Sequence, residues 1–109
     1  MSGAVEIRLF KEQYGLTQLL GKHSEHPEHW DKNSVMEQIP MLKNGILAIY
    51  IDCGVSDFVF QENENLNKAL WQKNIGHDYT IRPGEHNVDY WNNAIDYHIL
   101  FFKKFFEKK

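Results

Sequence analysis

A chain of 109 residues that is 42% hydrophobic and 25% charged has the length and composition of one small globular domain. Its net charge of −3 gives no electrostatic basis for binding nucleic acid or an anionic membrane surface, so neither is expected as a partner. No apolar run approaches the length of a membrane span, and the N-terminus lacks the pattern of a signal peptide. The single cysteine excludes an internal disulfide and favours a reducing compartment, which predicts a cytoplasmic location.

The first part of the chain carries few regular patterns. Residues 1–8 are predicted to form a short strand, and the polar stretch 9–33 is predicted to be a long loop with a helical turn near Thr17–Leu20. The segment Ser34-Val35-Met36-Glu37 has the form of a capping box that opens a short helix. Asn44-Gly45 indicates a turn, after which the patterns become stronger.

The second part alternates between strands and helices. Residues 46–52 form a nearly continuous apolar run, which is typical of a strand buried on both faces of a parallel sheet. Residues 62–73 are predicted to be helical, residues 77–82 to form a strand, and residues 89–106 to form the last helix. This alternation predicts an α/β fold with a parallel sheet.

The last helix carries an apolar stripe at intervals of three to four residues. The stripe consists of Trp91, Ile95, Ile99, Phe102 and Phe106. This spacing, together with the run Phe101–Phe106, predicts packing of these side chains against the sheet.

One acid and one histidine follow the two internal strands. Asp57 comes after the strand at 46–52, and His86 comes after the strand at 77–82 and the turn at Pro83-Gly84. Successive strand ends bearing first an acid and then a histidine match the order of the last two members of a Ser…Asp…His triad in α/β-hydrolases. A histidine that acts as general base needs a carboxylate on its other nitrogen, which fixes the tautomer and stabilises the imidazolium. We therefore predict that Asp57 and His86 are catalytic and lie within hydrogen-bond reach of each other.

The nucleophile of such a triad is not found in this chain. The serines are Ser2, Ser24, Ser34 and Ser56, and none lies in a Gly-x-Ser-x-Gly motif. Cys53 is not expected to replace it, because a cysteine at the end of an apolar strand is typically buried and inert. The chain alone is therefore predicted to be inactive.

Four segments together resemble the C-terminal part of the esterase D group of α/β-hydrolases, which includes S-formylglutathione hydrolase and the tributyrin (acetyl) esterases. The segments are Ser2-Gly3-Ala4-Val5, Asp52-Cys53-Gly54-Val55-Ser56-Asp57-Phe58, Asn63…Leu66…Ala69-Leu70 and Pro83-Gly84-Glu85-His86-Asn87…Tyr90-Trp91. The resemblance implies about three parallel strands with flanking helices, and it implies that Asp57 is the triad acid and His86 the triad base.

The resemblance also implies a single partial domain over residues 1–109, with a variable insertion of loops and a short helix at 9–44. The nucleophile elbow, the oxyanion-hole loop and the first strands of the family are absent, which implies a truncated gene product or a fragment of a serine carboxylesterase. The complete enzyme would hydrolyse short-chain acyl esters or thioesters without a cofactor.

An alternative is a non-catalytic remnant that folds by self-association or by pairing with another chain. In the family the strand at residues 2–8 is an interior strand, so its unpaired edge would favour a homodimer or a higher oligomer.

The remaining histidines carry weaker signals. The run of His23, His26 and His29 could suggest a metal site, but Pro27 interrupts any helical face, so a solvated loop without metal is predicted. His77 and His98 are predicted to be surface and helix-face residues.

Overall fold

The computed structural model describes residues 3–108, so Met1 and Ser2, which belong to the first predicted strand and to the resembling segment, lie outside the described residues, as does Lys109. The described elements are, in chain order, a 3-10 helix at Ile7–Phe10, α1 (Leu16–Leu20), α2 (Pro27–Lys32), α3 (Val35–Gln38), a 3-10 helix at Ile39–Met41, β1 (Tyr50–Gly54), α4 (Phe60–Gln72), β2 (Asp78–Arg82) and α5 (Val88–Glu107).

The centre of the fold is a parallel pair of strands. β1 and β2 pair in register from Tyr50 opposite Asp78 to Gly54 opposite Arg82, and α4 connects them. Parallel neighbours need such a crossover, since a short turn cannot return the chain to the same end of the sheet. Both internal strands are therefore confirmed, although β1 begins four residues later than the predicted start at 46. The α/β fold class is likewise confirmed.

The main core lies between β1, α4 and the segments before β1. Its buried members are Val5, Ile51, Leu66, Leu70 and Ile75. Leu66 and Leu70 stand one helical turn apart on α4, so both lie on the same buried face of this helix.

The predicted strand at 1–8 is wrong over its described part. Residues 3–6 have no regular structure, and Ile7–Phe10 forms a 3-10 helix. The side-chain amide of Asn63, on α4, donates to the carbonyl of Gly3 at 2.9 Å and accepts from the Gly3 N–H at 3.3 Å. The Val5 carbonyl accepts from the backbone N–H of Met36 at 3.2 Å. These partners satisfy backbone groups that a neighbouring strand would otherwise bond.

The segment 9–33 contains more helix than predicted. The turn near Thr17–Leu20 is confirmed as α1, but Pro27 opens α2 instead of interrupting a helix. Proline is favoured in the first helical turn because its missing N–H would have no helical partner there. The buried Trp30 ties α2 to the preceding loop, because its indole N–H donates to the Gly21 carbonyl at 3.0 Å.

The last helix is confirmed, but the prediction of its buried face is wrong. The face that α5 buries consists of Tyr90, Ala94 and His98. The predicted stripe is largely exposed, with Ile95, Ile99, Phe102 and Phe106 at 47%, 59%, 54% and 61% of full exposure. The Tyr90 hydroxyl donates to the buried Asp52 carboxylate on β1, which holds the face of Tyr90 against the sheet instead of the apolar stripe. No helix among residues 3–108 has the length and apolarity needed to cross a membrane.

We predict that Gly54→Ala destabilises the fold by about 1–3 kcal/mol, the usual cost of forcing a methyl group into a packed site. A Cβ at Gly54 would overlap the carbonyl oxygen of Gly84, and backbone atoms have little freedom to move away. The measurement is urea unfolding followed by circular dichroism.

The matched control for this substitution is Gly76→Ala, whose Cβ would lie 3.4 Å from Asn44 Oδ1, at the end of a side chain that can shift. Equal stabilities of the two variants would contradict the close approach of Gly54 to Gly84.

Candidate active site

Asp57 is held in a tight turn after β1. Its N–H donates to the Gly54 carbonyl at 3.1 Å, and its Oδ1 accepts from the Val59 N–H at 2.9 Å. The carboxylate is fully buried. One oxygen is therefore fixed by the backbone at the start of α4, while the other, Oδ2, faces the end of β2.

The turn after β2 is fastened to the turn after β1 by backbone hydrogen bonds. The Val55 N–H donates to the Arg82 carbonyl at 3.0 Å, and the Ser56 N–H donates to the Gly84 carbonyl at 2.9 Å. Gly84 has φ +140°, and a Cβ there would lie 2.5 Å from Cδ2 of Tyr90. Glycine is therefore required for this turn, and the turn brings His86 beside Asp57.

The structure brings the two predicted site residues together. Nδ1 of His86 lies 2.9 Å from Oδ2 of Asp57, within normal hydrogen-bond distance. Because the carboxylate faces Nδ1, the tautomer with hydrogen on Nδ1 is favoured. The imidazole lies between Phe58 and Trp91, at 4.9 and 5.0 Å between ring centroids, and its side chain is about one-third exposed (33%). These contacts orient the ring while part of it remains accessible to solvent.

The other predicted residues near this site occupy different environments. Cys53 is completely buried within β1, as expected for an inert thiol. Ser56 lies exposed in the turn after β1, and Glu85 is exposed beside His86. Of the other histidines, His98 lies on the buried face of α5, and His77 is partly exposed.

The sequence patterns did not predict the cluster of buried polar side chains around Asp52. Asp52, in the middle of β1, is fully buried and accepts a hydrogen bond from the Tyr90 hydroxyl. The Tyr50 hydroxyl donates to Asp52 Oδ2 at 3.3 Å. Arg82 Nη2 lies 2.9 Å from the same oxygen, an ion-pair distance, and His98 Nε2 lies 3.9 Å from it. The available signal was an aspartate inside an otherwise apolar run, since a buried carboxylate requires partners of this kind.

Burial and the charge of Asp52 shift the pKa values of the side chains around it, in directions that depend on the residue. Burial raises the pKa of Tyr90, and its hydrogen bond to Asp52 raises it further. For Arg82, burial is the largest influence and acts to lower the pKa, but Asp52, Tyr90 and Tyr50 together outweigh it and the net pKa is raised. Burial lowers the pKa of His98 below its usual value of 6.5. The Arg82 guanidinium also stacks on the Tyr97 ring, at 4.2 Å from the ring centroid, which holds the cation in place.

Comparison with known proteins finds similarity to one esterase sequence and to one hydrolase structure. No protein-family model matches it. It is 35% identical over 65 residues to an acetyl esterase from Caldicellulosiruptor saccharolyticus, a match that covers 60% of this chain and 24% of that protein. It also superposes on the crystal structure of S-formylglutathione hydrolase from Staphylococcus aureus with a TM-score of 0.55 and 22% identity, over 93% of this chain and 37% of that one.

These two matches confirm the resemblance to esterases and the α/β-hydrolase fold class. The structural match extends over nearly the whole chain, so the arrangement of β1, α4, β2 and α5 corresponds to part of a larger known fold. The chain spans about a quarter of the acetyl esterase that it matches.

We predict that the free energy of unfolding falls as the pH drops below about 6.5, the usual pKa of histidine. The folded-state pKa of His98 is lowered, so the unfolded chain binds a proton that the folded chain resists, and stability is lost as the pH falls. The substitution His98→Gln should therefore reduce the fall in the free energy of unfolding between about pH 7.5 and pH 5.5, measured by urea unfolding.

His23→Gln, in the segment before α2, is the control and should keep the slope of the wild-type chain. Identical slopes for His98→Gln and wild type would show that His98 takes up its proton as readily in the fold as in the unfolded chain.

Proposed function

We propose that this chain, which is similar to the esterases of the α/β-hydrolase fold, supplies the acid and the base of a serine carboxylesterase. The observation that supports this most strongly is the 2.9 Å contact between Asp57 Oδ2 and His86 Nδ1 at neighbouring strand ends. Acid and histidine also follow each other in the chain order of that enzyme class. The substrates proposed are short-chain acyl esters or thioesters, and the proposed location is the cytoplasm.

The chemistry assigns a separate task to each residue. His86 would take the proton of a serine hydroxyl through Nε2 and later return it to the leaving alcohol or thiol. Asp57 would hold the ring through Nδ1 and stabilise the imidazolium that forms. Because its other oxygen is bonded to the Val59 N–H, the carboxylate cannot rotate freely, so the orientation of the imidazole is fixed before substrate binds.

The serine nucleophile and the oxyanion-hole donors would come from a segment outside these 109 residues. The chain has four serines, and none of them lies in a Gly-x-Ser-x-Gly motif. Oxyanion-hole donors usually contribute a large part of the rate enhancement, so acid and base alone are insufficient. The DNA upstream of the Met1 codon is a direct test: an in-frame Gly-x-Ser-x-Gly supports the proposal, whereas a stop codon or unrelated sequence supports a non-catalytic remnant.

We predict that the 109-residue chain shows no turnover of a short-chain nitrophenyl ester above the level of its His86→Ala variant. In a longer product that contains the serine motif, His86→Ala should lower kcat by at least about 10³-fold, as expected for loss of a triad base. Asp57→Asn should lower it strongly as well, because the tautomer of His86 would no longer be fixed.

His77→Ala is the matched control, since His77 bonds instead to Ile75 and Asn67. Turnover by the 109-residue chain that disappears with His86→Ala would contradict the assignment of the nucleophile to another segment.

The alternative function, a remnant that associates with itself, is favoured by one observation. The stripe of Ile95, Ile99, Phe102 and Phe106 on α5 is exposed along most of the helix. Contiguous apolar patches on a protein surface typically mark contacts with another chain. A two-fold dimer would cover the same stripe on both copies.

We predict that light scattering at micromolar concentration gives the mass of a dimer and that Phe102→Glu shifts it to the monomer. A charge in the centre of the stripe would have to be desolvated in the dimer, which is costly. The control is Lys103→Glu at the neighbouring, exposed position of the same helix, which should leave the dimer intact. A wild-type chain that is monomeric at all concentrations would contradict self-association.

A further inference from the structure

Two histidines and a glutamate converge in and just before α2, in a part of the chain that the esterase chemistry does not use. Glu28 Oε1 lies 3.6 Å from His26 Nδ1 and 3.6 Å from His29 Nε2. The two imidazoles are parallel, with 4.7 Å between their centroids. All three potential ligand atoms lie within 4.8 Å of one another.

We propose that His26, Glu28 and His29 form a binding site for a divalent transition-metal ion such as Zn²⁺. Zinc bonds to nitrogen and oxygen are about 2.0–2.2 Å long, which separates the ligand atoms of a tetrahedral site by about 3.4 Å. The two nitrogen–oxygen distances of 3.6 Å are already close to that separation. The two nitrogens lie within 4.8 Å of each other, and because the rings are parallel, the exposed side chains must rotate so that both ring planes meet at the ion.

The hydrogen bond of His29 to the Leu20 carbonyl fixes the tautomer of its ring, and this tautomer leaves a lone pair on the nitrogen that faces Glu28. Nδ1 lies 2.8 Å from the Leu20 carbonyl oxygen, and since a carbonyl can only accept, Nδ1 must carry the hydrogen. In the neutral imidazole, Nε2 then presents its lone pair towards Oε1 of Glu28. A lone pair and a carboxylate oxygen that face each other can be bridged by a proton or by a metal ion, and the proposal places a metal ion there. Metal-bound histidines typically donate their other N–H to a backbone carbonyl in this way.

The surrounding backbone positions the rings. Gly21 has φ +78°, and a Cβ there would lie 2.6 Å from Cδ2 of His26, so glycine makes room for this imidazole. Trp30 is completely buried and donates to the Gly21 carbonyl, which fastens α2 to the C-terminal end of α1, where Leu20 lies. The histidines are therefore placed by packing on one side, while about half of each side chain remains accessible to an ion.

The chemistry of the ligands limits the ion that fits. Two imidazoles and one carboxylate suit zinc and similar transition metals better than calcium or magnesium, which prefer oxygen ligands. Three protein ligands leave a fourth position for water. The third histidine of the run, His23, is not part of the group, because its ring packs edge-on against Trp30.

The test is calorimetric titration of the 109-residue chain with Zn²⁺, together with visible absorption of the Co²⁺ form. We expect one ion per chain with a micromolar dissociation constant and a Co²⁺ spectrum of low-symmetry, four-coordinate type. His26→Ala and His29→Ala should each weaken binding at least about tenfold, since even loss of a residue that only orients a metal ligand costs about 10–100-fold. Glu28→Gln should also weaken it.

The controls are His23→Ala and Glu25→Gln, which change the same residue types in the same segment and should leave the affinity within about twofold. Circular dichroism verifies that each variant is folded. Absence of binding at about 1 mM Zn²⁺ would overturn the proposal, because sites of this ligand set bind far more tightly. Binding that survives in the His26→Ala, His29→Ala double variant would place the ion elsewhere and overturn it equally.

Discussion

The close approach of two backbones, at Gly54 and Gly84, is the constraint on which the candidate site depends. A side chain at Gly54 would overlap the Gly84 carbonyl, so the turns after β1 and β2 can touch only because glycine stands there. Parallel pairing places both turns at the same edge of the sheet, and the backbone bonds between them fix their separation. The 2.9 Å contact of Asp57 with His86 follows from this backbone geometry more than from any attraction between the two side chains.

The buried carboxylate of Asp52 connects the sheet to the helix that follows His86. Removing a carboxylate from water is costly unless hydrogen bonds and an opposite charge compensate it, and Tyr90 and Arg82 provide both. Tyr90 lies four residues after His86, and its N–H is bonded to the side chain of Asn87, the N-cap of α5. Tyr90 therefore bonds the start of α5 to Asp52 in β1. The segment that carries His86 is thus held between the end of β2 and the anchored start of α5.

Local patterns were sufficient to predict the two internal strands and the proximity of Asp57 and His86, because strand ends and their order are encoded within short segments. Contacts between distant residues were not predictable in this way. Asn63, sixty residues further along the chain, makes hydrogen bonds to the backbone of Gly3. These bonds take the place of the strand pairing that the local sequence predicted. On α5, the hydrogen bond of Tyr90 to the buried Asp52 accompanies an inward face of Tyr90, Ala94 and His98, and this tertiary contact overrides an apolar periodicity that indicates the opposite face. A helical pattern specifies that a face is apolar without specifying what covers it.

The reversed arrangement of α5 gives the helix two separate roles. Its inner face is partly polar and serves the buried carboxylate, whereas the residues on its outer face are the larger apolar ones, such as Ile99 and Phe102. Helices of an α/β layer normally bury one apolar stripe and expose a polar one. Leaving such side chains in water costs on the order of 1.5–3 kcal/mol each, a large amount beside the net stability of a small domain. This cost supports the proposal that the outer face of α5 is a contact surface for a second copy of the chain.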